Sequence, residues 1–120
     1  MTATVLKIAT ANTTNLTKVK DQPANLKGIS CLNTSAAAIF LKFYWYIPTP
    51  SAPTPTVGTT VPDMTIELPA LGTTTGNVIQ SWPDGISKAG LLFLAVTNLA
   101  ADSDATVVAA GAGLISVLYE

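Results

Sequence analysis

Between Ala36 and Ile47 the chain alternates: Ile39, Leu41, Phe43, Trp45 and Ile47 take every second position, with Phe40, Lys42, Tyr44 and Tyr46 between them. A period of two with aromatic and β-branched enrichment predicts a strand. One face is wholly apolar, and on the other the Tyr hydroxyls and Lys42 are expected to reach water or a partner. On a helix Lys42, Tyr44 and Trp45 would fall on unrelated sides, and no cap pattern flanks the run. The same alternation recurs in shorter form. Leu6 and Ile8 against Val5, Lys7 and Ala9 predict a first strand or an extended arm within residues 1–14, ahead of a single domain over 15–120. Leu16 to Lys20 and Leu26 to Asn33 flank Asp21-Gln22-Pro23-Ala24-Asn25, whose turn chemistry predicts a hairpin. Gly28 marks a bulge or a close backbone approach in the second of these strands.

Met64, Ile66 and Leu68 alternate with Thr65, Glu67 and Pro69, a half-buried strand that Pro69 ends or holds at an edge. A turn follows at Gly72-Thr73-Thr74-Thr75-Gly76, then a short strand from Asn77 to Trp82, a turn at Pro83-Asp84-Gly85 and an irregular piece from Ile86 to Ala89. Leu91 to Val96 is continuously apolar, as expected of a strand covered on both faces, either mid-sheet or against a neighbouring subunit. A loop on Asp102-Ser103-Asp104 leads to a last alternating strand, Leu114 to Tyr119. About eight short strands divided by Pro, Gly and Asn turns, with no helical pattern, predict an all-β antiparallel sandwich, jelly-roll-like. The immunoglobulin variant would want a Cys pair, and Cys31 is alone.

Pro48, Pro50, Pro53 and Pro55 fall within eight residues after Ile47. Their missing N–H groups cannot feed a ladder, so the segment is expected as a stiff extended loop. It is either an exposed contact element or a plain connection between two sheets.

Composition changes the picture in one respect. Apolar residues make up 48% of the 120 and charged ones only 11%, against about 25% in an average soluble domain. So few charges cannot cover the surface; Thr, Ser and Asn must supply the polar cover, and exposed apolar area for another chain to bury is expected ahead of the alternative, a Thr-rich β-protein that is simply uncharged. The net charge is −1, with six Lys and no Arg or Lys cluster, which argues against nucleic acid as a partner. The longest apolar run carries Lys42 and falls short of the roughly 18 residues of a membrane span. Met1 to Thr14 lacks the basic start and apolar core of a signal peptide, so export by that route is not expected.

Chemistry is sparse. Without histidine, Ser-His-Asp and Cys-His catalysis and the common zinc sites are excluded. Ser87 beside Lys88 is the one adjacent Ser-Lys pair, in a segment where neighbours seldom meet side chain to side chain. Asp102 and Asp104 read as turn formers, with calcium binding the sharper alternative that would need more oxygen ligands. Gly111-Ala112-Gly113 lacks the third glycine and following helix of a dinucleotide site. Asn12, Asn15 and Asn33 head glycosylation sequons of a kind common by chance in an Asn/Thr-rich chain. The expectation is a non-enzyme with no catalytic residue, cofactor or metal.

The order of segments resembles the capsid decoration, or cement, proteins of tailed bacteriophages. The likeness begins with the short strand and turn from Lys18 and with Leu26-Lys27-Gly28-Ile29 leading to Asn33 and small residues. It continues through the aromatic strand with Lys42, Pro55-Thr56-Val57-Gly58-Thr59, and Pro62 ahead of Met64 to Leu68. Its most telling part is the apolar strand entering Ala101-Asp102-Ser103-Asp104-Ala105-Thr106, with a terminal aliphatic strand ending at Tyr119. Residues 1–15 and the prolines from Pro48 to Pro53 depart from the pattern. The resemblance implies a β-sandwich homotrimer seated on the outside of the virion capsid, assembled in the host cytoplasm, with the major capsid protein as partner. Tyr44, Tyr46, Pro48, Pro50, Pro53, Pro55 and Trp82 are the candidate interface residues. A carbohydrate-binding or fibre-anchoring module of a virion is the alternative, with Tyr44, Tyr46 and Trp82 stacking on sugars.

Overall fold

The computed structural model describes residues 3–71 and 77–120. Its strands are β1 (Thr4–Ala9), β2 (Thr17–Lys18), β3 (Leu26–Asn33), β4 (Ile39–Tyr46), β5 (Met64–Leu68), β6 (Asn77–Ile86), β7 (Leu91–Thr97) and β8 (Gly113–Tyr119), with no helix among the described residues. The turn expected over 72–76 lies outside them, as do the first two residues of the strand or arm expected within 1–14.

Two antiparallel sheets of four form, sheet A in the order β1-β8-β3-β6 and sheet B in the order β2-β7-β4-β5. β1 pairs with β8, β2 with β7, β3 with β6 and β4 with β5, four pairs whose numbers each sum to nine. That is one long folded-back ribbon rolled into a jelly-roll sandwich, the fold that the strand count and turn spacing predict. The β3–β8 and β4–β7 pairings close each sheet.

Period two then determines the core. Ile39, Leu41, Phe43 and Trp45 from β4 meet Leu92, Leu94 and Val96 from β7 and, across the sandwich, Ile29, Cys31, Ile115 and Val117 from β3 and β8. Each fully buried side chain of this size contributes roughly 1.5–3 kcal/mol over leaving it in water, so the four residues of β4 supply a substantial share of the core. Asn33, fully buried, joins the layers at one end: its amide donates to the carbonyls of Ala37 and of Leu68 in β5, each at 2.9 Å.

Three expectations are corrected. β2 and β3 do not form a hairpin, because β2 pairs with β7 in sheet B while β3 sits between β8 and β6 in sheet A; the turn at 21–25 carries the chain from one sheet to the other. Pro83-Asp84-Gly85 does not end a strand, since β6 runs on to Ile86 and the expected irregular piece starts after it. Those residues form a bulge, with register passing from Gly28↔Ser81 to Leu26↔Ile86. A bulge suits them: β6 is an edge strand, Pro83 has no N–H to offer the ladder, and Gly85 takes a φ of 77° that other residues avoid. Lys27 Nζ donates to the Pro83 carbonyl across the gap. Gly28 has both features anticipated for it, since the register shift lies beside it and a Cβ there would stand 3.0 Å from the Gln80 carbonyl oxygen. The proline-rich segment, finally, is no bridge between sheets, because β4 and β5 on either side of it are neighbours in sheet B.

Candidate interaction surface

The two sheets treat their outer faces differently. In sheet B the outward positions of β4 and β7 are covered by this chain's own loops. Tyr44, Phe93 and Ala95 form a second buried cluster against which Leu16, Tyr46, Leu91 and Val57 of the proline-rich loop pack. That loop is tied down by the Tyr46 hydroxyl donating to the Ala52 carbonyl at 3.0 Å and by paired backbone bonds between Thr49 and Ala52. The loop at 98–106 covers Lys42, whose Nζ donates to the carbonyls of Ala101 at 2.7 Å and Asp104 at 3.2 Å. Burial pushes the Lys42 ammonium below its ordinary pKa, and the charges of Asp104 and Asp102 pull it back part of the way. For Asp104, burial raises the carboxyl. Hydrogen bonds from Thr106 and from the Leu99 N–H, with the Lys42 charge, more than offset this and hold it below the usual value.

This covering revises the candidate interface. Tyr44 is 1% exposed, so it is a buried residue and not a free aromatic, and Lys42 on the same face is 0% exposed. The Tyr44 hydroxyl is buried without a hydrogen-bond partner, and burial followed by the Asp102 charge raises its pKa. Tyr46 is half-buried, edge-on to Phe93 with ring centroids 6.2 Å apart. Pro55 is buried, whereas Pro48, Pro50 and Pro53 are exposed. Trp82 is half-buried against the core from sheet A. The three aromatics proposed to stack on sugar therefore make no common exposed platform. The second apolar face of β7 likewise meets this chain's own loops.

Among the described residues, no loop packs over the outer side of sheet A. Its outward residues line up across the strands in three rows: Val5, Leu118, Gly28 and Ser81; then Lys7, Ser116, Ser30 and Ile79; then Ala9, Leu114, Leu32 and Asn77. Lys7 is the only charge in these rows. Ile79 is 77% exposed, and Val5, Leu114 and Leu118 also rank among the exposed large hydrophobics. Small residues at the middle leave a groove of about 310 Å³ floored by Gly28 and Ser30 and walled by Leu118 and Ile79, with Lys27 at one end. An exposed apolar face of this kind is the candidate contact surface of the described chain. The sequence reading missed it. The signal was present in Leu114 and Leu118, apolar on the face of β8 opposite Ile115 and Val117, and in Ile79.

Of the chemistry weighed from sequence, nothing assembles. Ser87 is exposed and Lys88 pairs with Asp63, whose other oxygen accepts the Trp45 N–H at 2.7 Å. The Asp104 carboxylate turns inward to Leu99 and Thr106 while Asp102 stays exposed, and among the described residues no three metal-ligating side chains converge. Cys31 is buried, and burial, opposed by a backbone hydrogen bond at Ser116, pushes its thiol up to about 11. Compared with known proteins, the chain matches no family model, no curated protein and no solved structure.

Proposed function

We infer that this chain is a structural protein of a tailed-bacteriophage virion, a decoration or cement protein that binds the major capsid protein and associates with itself as a trimer on the capsid exterior. The observation that carries the reading is the outer face of sheet A. Among the described residues it is an uncovered and more apolar than polar sheet face on a chain with 11% charged residues, in a fold where the chain's own loops cover the outward positions of β4 and β7. The resemblance of the segment order to cement proteins supports the same reading. A cement protein meets many equivalent shell positions, and a trimer turns several weak contacts into avidity. With Lys7 in the face and Lys27 at the end of its groove as its charges, such contacts rest mainly on apolar burial, which salt does not screen.

Light scattering on the purified chain together with quantitative mass spectrometry of intact particles tests this. The expected result is a trimer in solution and a copy number near that of the shell protein. A strict monomer absent from mature particles refutes it.

A further inference from the structure

The bare face of sheet A has three possible occupants: a second copy face to face, a second copy through a different surface, or another protein. Size comes first. Four strands about 4.8 Å apart and three outward rows about 6.8 Å apart span on the order of 400 Å² of flat area. A stable two-protein contact takes about 800 Å² from each side. Even with the relief that side chains add to flat area, one face on one copy falls short.

Charge disfavours self-pairing too. Placing the face on itself about a twofold across the strands sets Lys7 against Lys7, and about a twofold along them sets Lys7 against Ile79. The chain's seven side-chain carboxylates contribute none to the three rows, Glu120 standing two positions past Leu118 at the open end of the first. Either pairing covers an ammonium with no counter-charge, which costs stability. Packing this face on the loop-covered face of the next copy runs into symmetry. The two faces of a sandwich point in opposite directions, so repeating that contact builds an open stack and not a closed ring.

We propose that the outer face of sheet A, centred on the groove over Gly28 and Ser30, is the surface that meets the shell, and that the shell protein presents there an apolar patch with a carboxylate opposite Lys7. This rests on the cement-protein reading and adds to it the docking face and the chemistry of its partner. Three such faces on one trimer supply the area that a single face lacks. Self-association is left to edges and loops.

Shells assembled from the major capsid protein of the same virion are the probe, titrated with the unaltered chain and with Ile79→Glu, Leu118→Glu, Lys7→Glu and Val61→Glu. The first three sit in the face; Val61 is exposed on the side of sheet B. All four positions are exposed, and thermal melts with light scattering verify fold and oligomer. Half-saturation at tenfold or more higher concentration for the three face variants, with Val61→Glu unchanged, is the expected result. Face variants that saturate shells like the unaltered chain overturn the assignment while leaving the cement reading standing. A solution dimer of the unaltered chain that Ile79→Glu splits overturns it in favour of a second copy. An unaltered chain that ignores the shells overturns the cement reading, and this inference with it.

Discussion

Lys42 is the residue whose loss should be felt furthest from where it stands. It belongs to the middle of β4, is 0% exposed, and its Nζ holds the loop at 98–106 through the carbonyls of Ala101 and Asp104. In Lys42→Met the stem is kept and the amine removed. Hydrogen bonds from a charged donor are worth about 1.5–3 kcal/mol each, so the two together hold roughly 3–6 kcal/mol in gross terms. Two effects reduce this. The ammonium no longer pays for desolvation, and the loop, with Ala101, Asp102 and Ser103 exposed, can lift so that water takes the freed carbonyls. The net loss is therefore about 2–3 kcal/mol. Unfolding entropy near 2.1 cal/mol/K per residue over 120 residues gives about 0.25 kcal/mol per degree, so Tm should fall by about 8–12 °C.

Circular dichroism melts measure that fall. Hydrogen exchange locates it: the amides of Leu99, which donates to the Asp104 carboxylate, and of Asp104, which donates to the Ala101 carbonyl, should lose protection while β3 and β8 keep theirs. A Met variant that melts within about 2 °C of the parent with both amides still protected would refute the reasoning, for the loop would then be held by something other than Lys42.

Two further outcomes follow from the same geometry. Asp104 titrates below its ordinary value in the folded chain, so its contribution to stability is present above about pH 4 and is lost as pH falls through the lower folded value. Asp104→Asn should accordingly flatten the acid limb of a plot of urea midpoint against pH, and an unchanged limb would show that its hydrogen bonds do not discriminate between protonation states. Cys31, buried and with its thiol raised to about 11, should resist a thiol reagent at pH 8 in the native chain and react at once in denaturant; rapid native labelling would contradict the packing of β3.

The alternation of side chains was enough to place the strands. Leu26–Asn33 and Met64–Leu68 begin and end where the apolar period and the turn residues put them, because whether a segment can bury one face is settled by residues two apart. The same local information misled where a turn composition met a sheet edge. Pro83-Asp84-Gly85 has the residues of a turn, and only the place of β6 at the margin of sheet A lets a strand pass through them as a bulge. Likewise the turn at 21–25 is correctly a turn, yet nothing within it tells whether the next strand comes back beside the last or crosses to the other sheet.

The candidate surface divides along the same line. Tyr44 and Lys42 sit on the face of β4 that the sequence marks as polar and reachable, and the fold buries both under loops at 48–62 and 98–106 that are distant from them along the chain. Val5, Ile79 and Leu118 belong to three different strands, and they become one surface only because β1, β8, β3 and β6 align them in register. Which positions are apolar is written residue by residue. Which apolar positions remain uncovered depends on what the rest of the chain lays over them, and that is decided by contacts between segments far apart in sequence.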